Sequence, residues 1–463
     1  MPSSTTPEIR QVWTSDPGTM ANETAVMRWP RIIQNIVKDV TETVNQLLSY
    51  NEKIEGHKIC LQLESLKKEI TGNELLSPLP KHERLPYVTD WNSQLQELKG
   101  CSWLAAPWLF TECYQYKRVQ VIFATAATPH WQSYDYFKRL KDSTFAQSRK
   151  AVEELAARFI SIVVQEKSSL ARAIEITTDN TTADNPQKLL FIEMTEISLW
   201  GNATDLSLLS HLNLEDLQSL QGRDSILKRR CNIVDDDLDE AWGFLTKTPR
   251  ARIDIVLDNA GFEFFTDMLF ATYLLELELA SNIRLHVKDF PWFVSDVIPS
   301  DIPSLFSHLA SAETFPNHRS QIDQLIKRMQ KQMDSGAIEI KQHPFWTTGY
   351  TYHEMPSQAP DLYHDLSKTN RRDLVIFKGD LNYRKLTKDG LWPHTTTFED
   401  ALGPMGRDSG INILALRTNK ADVVVGIKTA TRVAELHKEA PGGAWTRNGK
   451  YAVISFNEGS SPS

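Results

Sequence analysis

Arg252-Ile-Asp-Ile-Val-Leu-Asp-Asn-Ala-Gly-Phe-Glu-Phe-Phe-Thr-Asp267 is the stretch on which the fold turns. Ile253, Ile255, Val256 and Leu257 form a short β-branched run, the composition of a buried strand. The run stops at Asp258-Asn259, and after Gly261 the apolar spacing becomes helical through Phe264, Met268, Leu269 and Tyr273. A strand that ends in an acid and an amide and turns into a helix sets polar side chains on the carboxyl edge of a sheet. That is the edge where open α/β sheets bind ligands. A carboxylate buried there is costly without a partner, which makes a cation its natural companion. A local reading competes: Asp and Asn are both favoured helix N-caps, and the dipeptide alone does not decide.

Working outward, the same unit recurs. Ile283–Val287 reads as a strand closing on Lys288-Asp289 and running on to Asp296. Residues 321–334 read as a helix and Ile338–Ile340 as a short strand. Leu374–Phe377 is a strand ending in Lys378-Gly379-Asp380-Leu381-Asn382-Tyr383-Arg384-Lys385, and Ile411–Leu416 one ending in Arg417-Thr418-Asn419-Lys420. Tyr451–Phe456 is a last strand. Strand, polar edge and helix in repetition predict an α/β fold with a doubly wound sheet covered by helices.

The first part of the chain has a different texture. Residues 1–22, rich in Ser, Thr and Pro, read as a frayed, flexible arm. From Arg28-Trp29-Pro30 onward, Ile32, Ile33, Ile36, Val37 and Val40 repeat at helical spacing, and a long amphipathic segment runs from Tyr136 to Val164. Residues 23–180 are therefore expected to be an α-helical domain, with its Trp and Tyr side chains in the core. The polar loop 177–187 is the boundary candidate, and 181–463 is the α/β domain. Between them Leu189–Trp200 reads as a helix leading into Gly201-Asn202-Ala203-Thr204-Asp205, a reversal that a C-cap followed by a new N-cap would explain. The acidic run Asp235–Glu240 reads as a solvated first helical turn.

Composition narrows the function. With 463 residues, 41% hydrophobic and 24% charged, the chain is an ordinary globular protein of two domains. A net charge of −8 gives no general attraction to nucleic acid or anionic membranes. The four cysteines, Cys60, Cys101, Cys113 and Cys231, lie far apart with no C-x-x-C pair, which argues against zinc fingers and a disulfide framework. With no secretory signal and no membrane-length apolar run, the expected compartment is the cytoplasm or also the nucleus. Oligomeric state is not readable.

Four strand ends carry complementary chemistry. Asp258 with Asn259, and Asp296, supply oxygen donors; Lys378, Arg384 and Lys385, and Arg417 with Lys420, supply cations. In a parallel sheet these ends face one crevice. Oxygen donors without His or Cys suit a hard divalent ion such as Mg²⁺ or Mn²⁺, and Lys and Arg beside it suit a phosphoryl group. The chain has no G-x-G-x-x-G after its first strand, no G-x-x-x-x-G-K-[ST], no G-x-S-x-G and no H-E-x-x-H.

At these residues the chain resembles the damage-control phosphatase family. The segments carrying the resemblance are Leu-Asp258-Asn259-Ala-Gly-Phe-Glu263, Lys-Gly-Asp380-Leu-Asn382-Tyr-Arg384-Lys, Leu-Trp200-Gly201-Asn202-Ala-Thr-Asp205 and Arg417-Thr418-Asn419-Lys420. The last is similar to the Arg-Thr-x-Lys motif of subfamily III, the ARMT-like sugar-phosphate phosphatases. The resemblance implies an N-terminal helical domain and a C-terminal three-layer α/β/α Rossmann-like domain with a mostly parallel sheet. It implies a divalent ion (Mn²⁺, Ni²⁺, Co²⁺ or Mg²⁺) held by Asp258, Asn259 and Asp296. It also implies substrate contacts from Glu263, from Asp380, Leu381, Asn382, Tyr383 and Arg384, and from Lys420, with Asn202 in a matching segment. The expected substrates are small sugar phosphates of the fructose 1-phosphate and fructose 6-phosphate type.

The expected chemistry is cation-assisted attack of water on phosphorus. Lys420 and Arg384, with Lys378 and Arg417 nearby, neutralise charge on the phosphoryl oxygens, and Asp380 and Asn382 hold sugar hydroxyls. A nucleophilic role for Asp258 is the less favoured variant. Two other classes stay open: an S-adenosylmethionine-dependent protein-glutamate O-methyltransferase, and a non-catalytic sugar-phosphate binder.

Overall fold

Seven strands build one sheet in the order β1-β7-β6-β5-β2-β3-β4: β1 Ile233–Asp236, β2 Ala251–Val256, β3 Ala280–Val287, β4 Ile338–Gln342, β5 Leu374–Lys378, β6 Asn412–Thr418 and β7 Ala452–Asn457. The computed structural model describes residues 9–173, 186–201, 230–247, 250–367 and 373–459. Strands β6, β5, β2, β3 and β4 run parallel, β7 pairs antiparallel with β6, and β1 runs parallel to β7. The mostly parallel α/β/α layering is the expected one. The carboxyl ends of β2, β3, β5 and β6 therefore emerge on one edge, the placement on which a shared crevice depends.

Period-two alternation splits the sheet between two cores. Ile253, Ile255, Leu257, Leu285, Ile376 and Leu416 face one layer of helices, including Phe262–Glu276 and Arg319–Asp334. Val256, Val375, Phe377, Ala415 and Val453 face the other, beneath Trp346, Tyr352 and Trp445. A third cluster belongs to the N-terminal helices. There Trp29, Ile32, Ile33, Ile36 and Val40 on the helix Trp29–Gln46 pack with Leu63, Leu66, Trp103 and Tyr114. Phe290, Trp292, Leu381 and Ala421, from the strand-end loops, are buried in that same cluster, so the two parts of the chain meet over the sheet edge.

Three details differ from the sequence reading. The expected helix from Tyr136 to Val164 is two helices, Lys138–Gln147 and Arg149–Ala173. Val152, Leu155 and Phe159 of the second are buried with Phe265 and Ile302, against the sheet's helical layer. The acidic run is not wholly a solvated turn: Ile233–Asp236 is β1, Asp235 is buried under Ser455, and only Leu238–Lys247 is helix. Residues 9–22, expected to fray, are docked: Val12 is 1% exposed and its main chain bonds Asp389 and Trp108. Residues 1–8, most of the boundary loop 177–187, and Asn202 with Thr204 and Asp205 lie outside the described residues.

Candidate active site

The carboxyl edge opens into a cavity of about 630 Å³ lined by Asp258, Asn259, Glu263, Asp296, Asp380, Leu381, Arg384 and Lys420. Side chains from the ends of four strands, β2, β3, β5 and β6, are thus gathered in one place. The opposite wall comes from the N-terminal helices, through Arg28, Trp108, Glu112, Leu140 and Lys141.

Asp258 follows β2 and Asp296 follows β3; a backbone bridge between Asn259 and Asp296 ties the two strand ends together. The Asn259 amide donates to Asp258 Oδ2 (2.8 Å) and to Glu263 Oε2 (2.7 Å), while its Oδ1 accepts from Ser295 Oγ (2.5 Å). Glu263 sits on the first turn of the following helix, where an acid suits the dipole. Gly379, at φ +83, brings its backbone so close that a Cβ there would lie 1.9 Å from Asp258 Oδ2. Burial first, then the charges of Glu263 and Asp296, push the Asp258 carboxyl well above its ordinary range, opposed by Lys288 and Lys420. Asp296 is raised to about 6, by burial, with Lys288 pulling the other way.

Lys288 Nζ lies 3.2 Å from Asp296 Oδ2 but gives its hydrogen bond to the Leu257 carbonyl (2.6 Å). Apart from that ammonium, neither buried Asp296 oxygen has a hydrogen-bond donor among the described residues. Such atoms carry a desolvation cost of about 1–3 kcal/mol each that a cation relieves. Among the described residues no three His, Cys, Asp or Glu side chains are grouped to hold a metal. The donor set is two carboxylates and an amide. All are hard oxygen donors, a set that fits an ion retaining water and substrate oxygens in its remaining positions. Asn259 would join it only with its amide turned over, at the loss of its donation to Glu263; Ser295 could accept from the turned amide because a hydroxyl accepts as well as donates.

The expected cations divide by role. Lys420 lines the cavity, and its backbone N–H donates to Asp380 Oδ1 (3.0 Å). Arg417 is fully buried: it bonds the same Asp380 oxygen (2.8 Å) and the carbonyls of Ala421 (2.9 Å) and Val423 (2.5 Å), with its guanidinium 4.4 Å from the Tyr383 ring centroid. It shapes the loop that carries Lys420. Lys378 is buried beside Asp267 (2.6 Å), Glu263 (3.1 Å) and the Ser198 carbonyl (2.8 Å). Those carboxylates hold its ammonium above the ordinary range against burial, and it fixes Glu263 rather than facing the cavity. Arg384 lines the wall but is bound to Glu112 (2.8 Å) and twice to Asp389 (3.1 and 3.0 Å), lying 3.7 Å over Trp108. Its charge is already balanced.

Asn382 and Tyr383 are not among the lining residues. Asn382 spends its side chain on Tyr352 OH (2.5 Å) and on the carbonyls of Lys378 (2.7 Å), Val256 (3.2 Å) and Leu257 (3.4 Å). Tyr383 stacks on Phe398 and accepts from Val425 N (3.1 Å). Both brace the β5 end. Asp380, by contrast, turns Oδ1 to Arg417 and Lys420 and leaves Oδ2 without a hydrogen bond among the described residues. Sequence reasoning missed Lys288, which the strand-end logic would have found, and Glu112, an acid inside the apolar run Trp108-Leu-Phe-Thr-Glu-Cys-Tyr114.

The family model and the sequence relatives agree on one family. The model of the damage-control phosphatase ARMT1-like domain matches residues 24–436. Damage-control phosphatase ARMT1 of Xenopus tropicalis is 33% identical over 459 residues, covering 95% of this chain and 97% of that protein. The Danio rerio protein of the same name is 32% identical over 456 residues, covering 95% of each chain. The Homo sapiens protein is 31% identical over 464 residues, covering 96% of this chain and 97% of its own. A crystal structure of a DUF89 family protein from Pyrococcus horikoshii aligns with a TM-score of 0.40 at 14% identity, covering 94% of this chain and 97% of that one.

Proposed function

The chain belongs to the damage-control phosphatase ARMT1-like family and is a phosphatase, and from that premise we propose that it hydrolyses small sugar phosphates with a divalent cation bound at Asp258, Asn259 and Asp296. Substrates of the fructose 1-phosphate and fructose 6-phosphate type match the proposal. The observation that carries it is the meeting of two buried carboxylates with Lys420 and Asp380 in one cavity. Asp296 has no donor near it there but the Lys288 ammonium, which supports a further cation at that end. When bound, such an ion polarises a phosphoryl oxygen and makes a nearby water more acidic.

The protein groups do the rest. Lys420 neutralises charge building on the phosphoryl oxygens in the transition state, the kind of preorganised donor worth a large share of a rate enhancement. Asp380 Oδ2 accepts from a sugar hydroxyl, with Arg417 holding the carboxylate in place. Glu263, pinned by Lys378 and Asn259, keeps the floor of the site fixed and acidic. Arg384, latched to Glu112, closes the wall against Trp108 and so limits bulk water.

The test is phosphate release from a panel of sugar phosphates with Mn²⁺, Ni²⁺, Co²⁺ or Mg²⁺, before and after chelation. Release that stops with chelator, returns with metal and vanishes in Asp258→Ala is expected. Release indifferent to both treatments overturns the reading.

A further inference from the structure

A second cavity of about 630 Å³ opens beside the first, and the two share Arg28, Leu140 and Val294. Its floor is apolar, with Ile32 and Phe137, and its rim carries Arg28 and Arg31. The charges there do not cancel. Arg139 is paired with Asp39 (2.7 Å) and Lys38 with Glu42 (4.0 Å). Arg28 and Arg31 are exposed and have no ion pair among the described residues. In the first cavity, by contrast, Lys141 is held by Asp135 (2.7 Å) and Asp301 (2.8 Å), and Arg384 by Glu112 (2.8 Å) and Asp389 (3.0 Å). The unbalanced guanidinium of Arg28 thus stands where the cavities join, and that of Arg31 lines the second.

The backbone at that junction is also unusual. Thr24–Arg28 is a π-helical turn, closed by the Trp29 N–H on the Thr24 carbonyl, between the helices Met20–Glu23 and Trp29–Gln46. Such turns are rare and concentrate at functional sites. The wider turn offsets Arg28 from the α-helical register, while Trp29 beside it is fully buried and anchors the bend.

Resting on the phosphatase reading, we infer that the second cavity is a distal-anion subsite. It takes the non-reacting anionic group of a doubly charged phosphate ester, a sugar bisphosphate being the simplest, while the reacting phosphate lies at Lys420. Arg28 and Arg31 bind that group in the planar two-pronged manner of guanidinium on phosphate. The apolar floor leaves room for the body of the substrate without hydrogen-bond selection among sugars.

The experiment compares kcat/KM for fructose 1,6-bisphosphate and fructose 6-phosphate, at saturating metal, in the native protein, Arg31→Ala and the Arg28→Ala/Arg31→Ala double variant. The bisphosphate-to-monophosphate ratio is expected to fall about fivefold on loss of each arginine, the worth of a solvent-screened ion pair. The native ratio is also expected to shrink with added salt. If both esters turn over and the ratio moves by less than roughly twofold in the double variant, against the roughly 25-fold fall expected from two such losses, the subsite is refuted while the phosphatase reading stands. If the native protein hydrolyses neither ester, both fall together.

Discussion

Gly379→Ala puts the geometry of the site to its sharpest trial. Gly379 begins the helix after β5 at φ +83, and a methyl group there would lie 1.9 Å from Asp258 Oδ2, 2.2 Å from Cγ and 2.7 Å from Cβ. Real Cβ contacts do not fall below 3.0 Å, so the Asp258 carboxylate must retreat by about 1 Å or the β5 end must lift. A displacement of that size at a reacting centre costs on the order of 100-fold in rate. Backbone strain adds about 1–2 kcal/mol of lost stability, because an L-residue is being forced into the left-handed region. Gly336→Ala separates the two effects: Gly336 has φ +73 but nothing within 4 Å of its absent Cβ. Both variants should lose the left-handed strain energy in urea unfolding, Gly379→Ala more because its clash adds to it, and only Gly379→Ala should lose phosphate release. Activity of Gly379→Ala within about threefold of native, set against the expected hundredfold loss, would mean that Asp258 need not sit where it does.

Three further outcomes follow from the same coordinates. Lys378→Met strands the carboxylates of Glu263 and Asp267 in the interior and should cost about 3–5 kcal/mol in chemical denaturation. Asp267 is already raised to about 6, by burial, with Lys378 opposing. Without that lysine it binds its proton still more tightly in the folded state, so the deficit should shrink as pH falls toward 6 and level off below it, and a pH-independent deficit above 6 refutes the pairing. Asp235 is pushed up to about 8 by burial and by Asp237, so the folded state holds a proton that the unfolded chain releases near 4. Native stability therefore declines as pH rises between those values, by at most about 1.4 kcal/mol per unit. Asp235→Asn, which keeps an acceptor for Ser455, should match native at pH 4 and melt higher at pH 8; the reverse order counts against a neutral Asp235. Lys420→Ala should lower kcat by about 10²–10³ with the fold intact, and an effect on KM alone would reassign it to ground-state binding.

The strand-to-helix switch at Asp258 and the polar ends of β3, β5 and β6 were readable because period-two apolar runs and their stops are local properties of the chain. Which carboxylate would face which cation was not. Lys378 and Arg417 carry the charge expected of phosphate clamps, yet Glu263 and Asp267 claim the first and Asp380 the second. One clue was available: Glu263 and Asp267 stand four residues apart, on one helical face, and two acids so placed in a buried helix require a buried base. Strand β1 was not readable because Asp235-Asp236 lacks strand chemistry; the parallel partner β7 and the Ser455 hydroxyl, over 200 residues away, make Asp235 tolerable there, while Asp236 pairs with nearby Arg230. Glu112 was equally unreadable as part of the wall, since its partner Arg384 lies 272 positions along the chain.

The docked N-terminal segment has a consequence for how the enzyme comes into being. Arg10 O accepts from Leu391 N (2.9 Å), Val12 N bonds Asp389 O (3.2 Å), Met20 N bonds Asp422 (3.2 Å) and Arg447 reaches the Gly18 carbonyl (3.2 Å). Residues 10–20 thus have partners between 389 and 447, although domains generally fold as they are synthesised. Met20 and Lys420 share one rim, so a nascent chain can assemble its helices and most of its sheet and still own half a mouth. That mouth is completed only when contacts such as Met20 with Asp422, 402 positions apart, have formed.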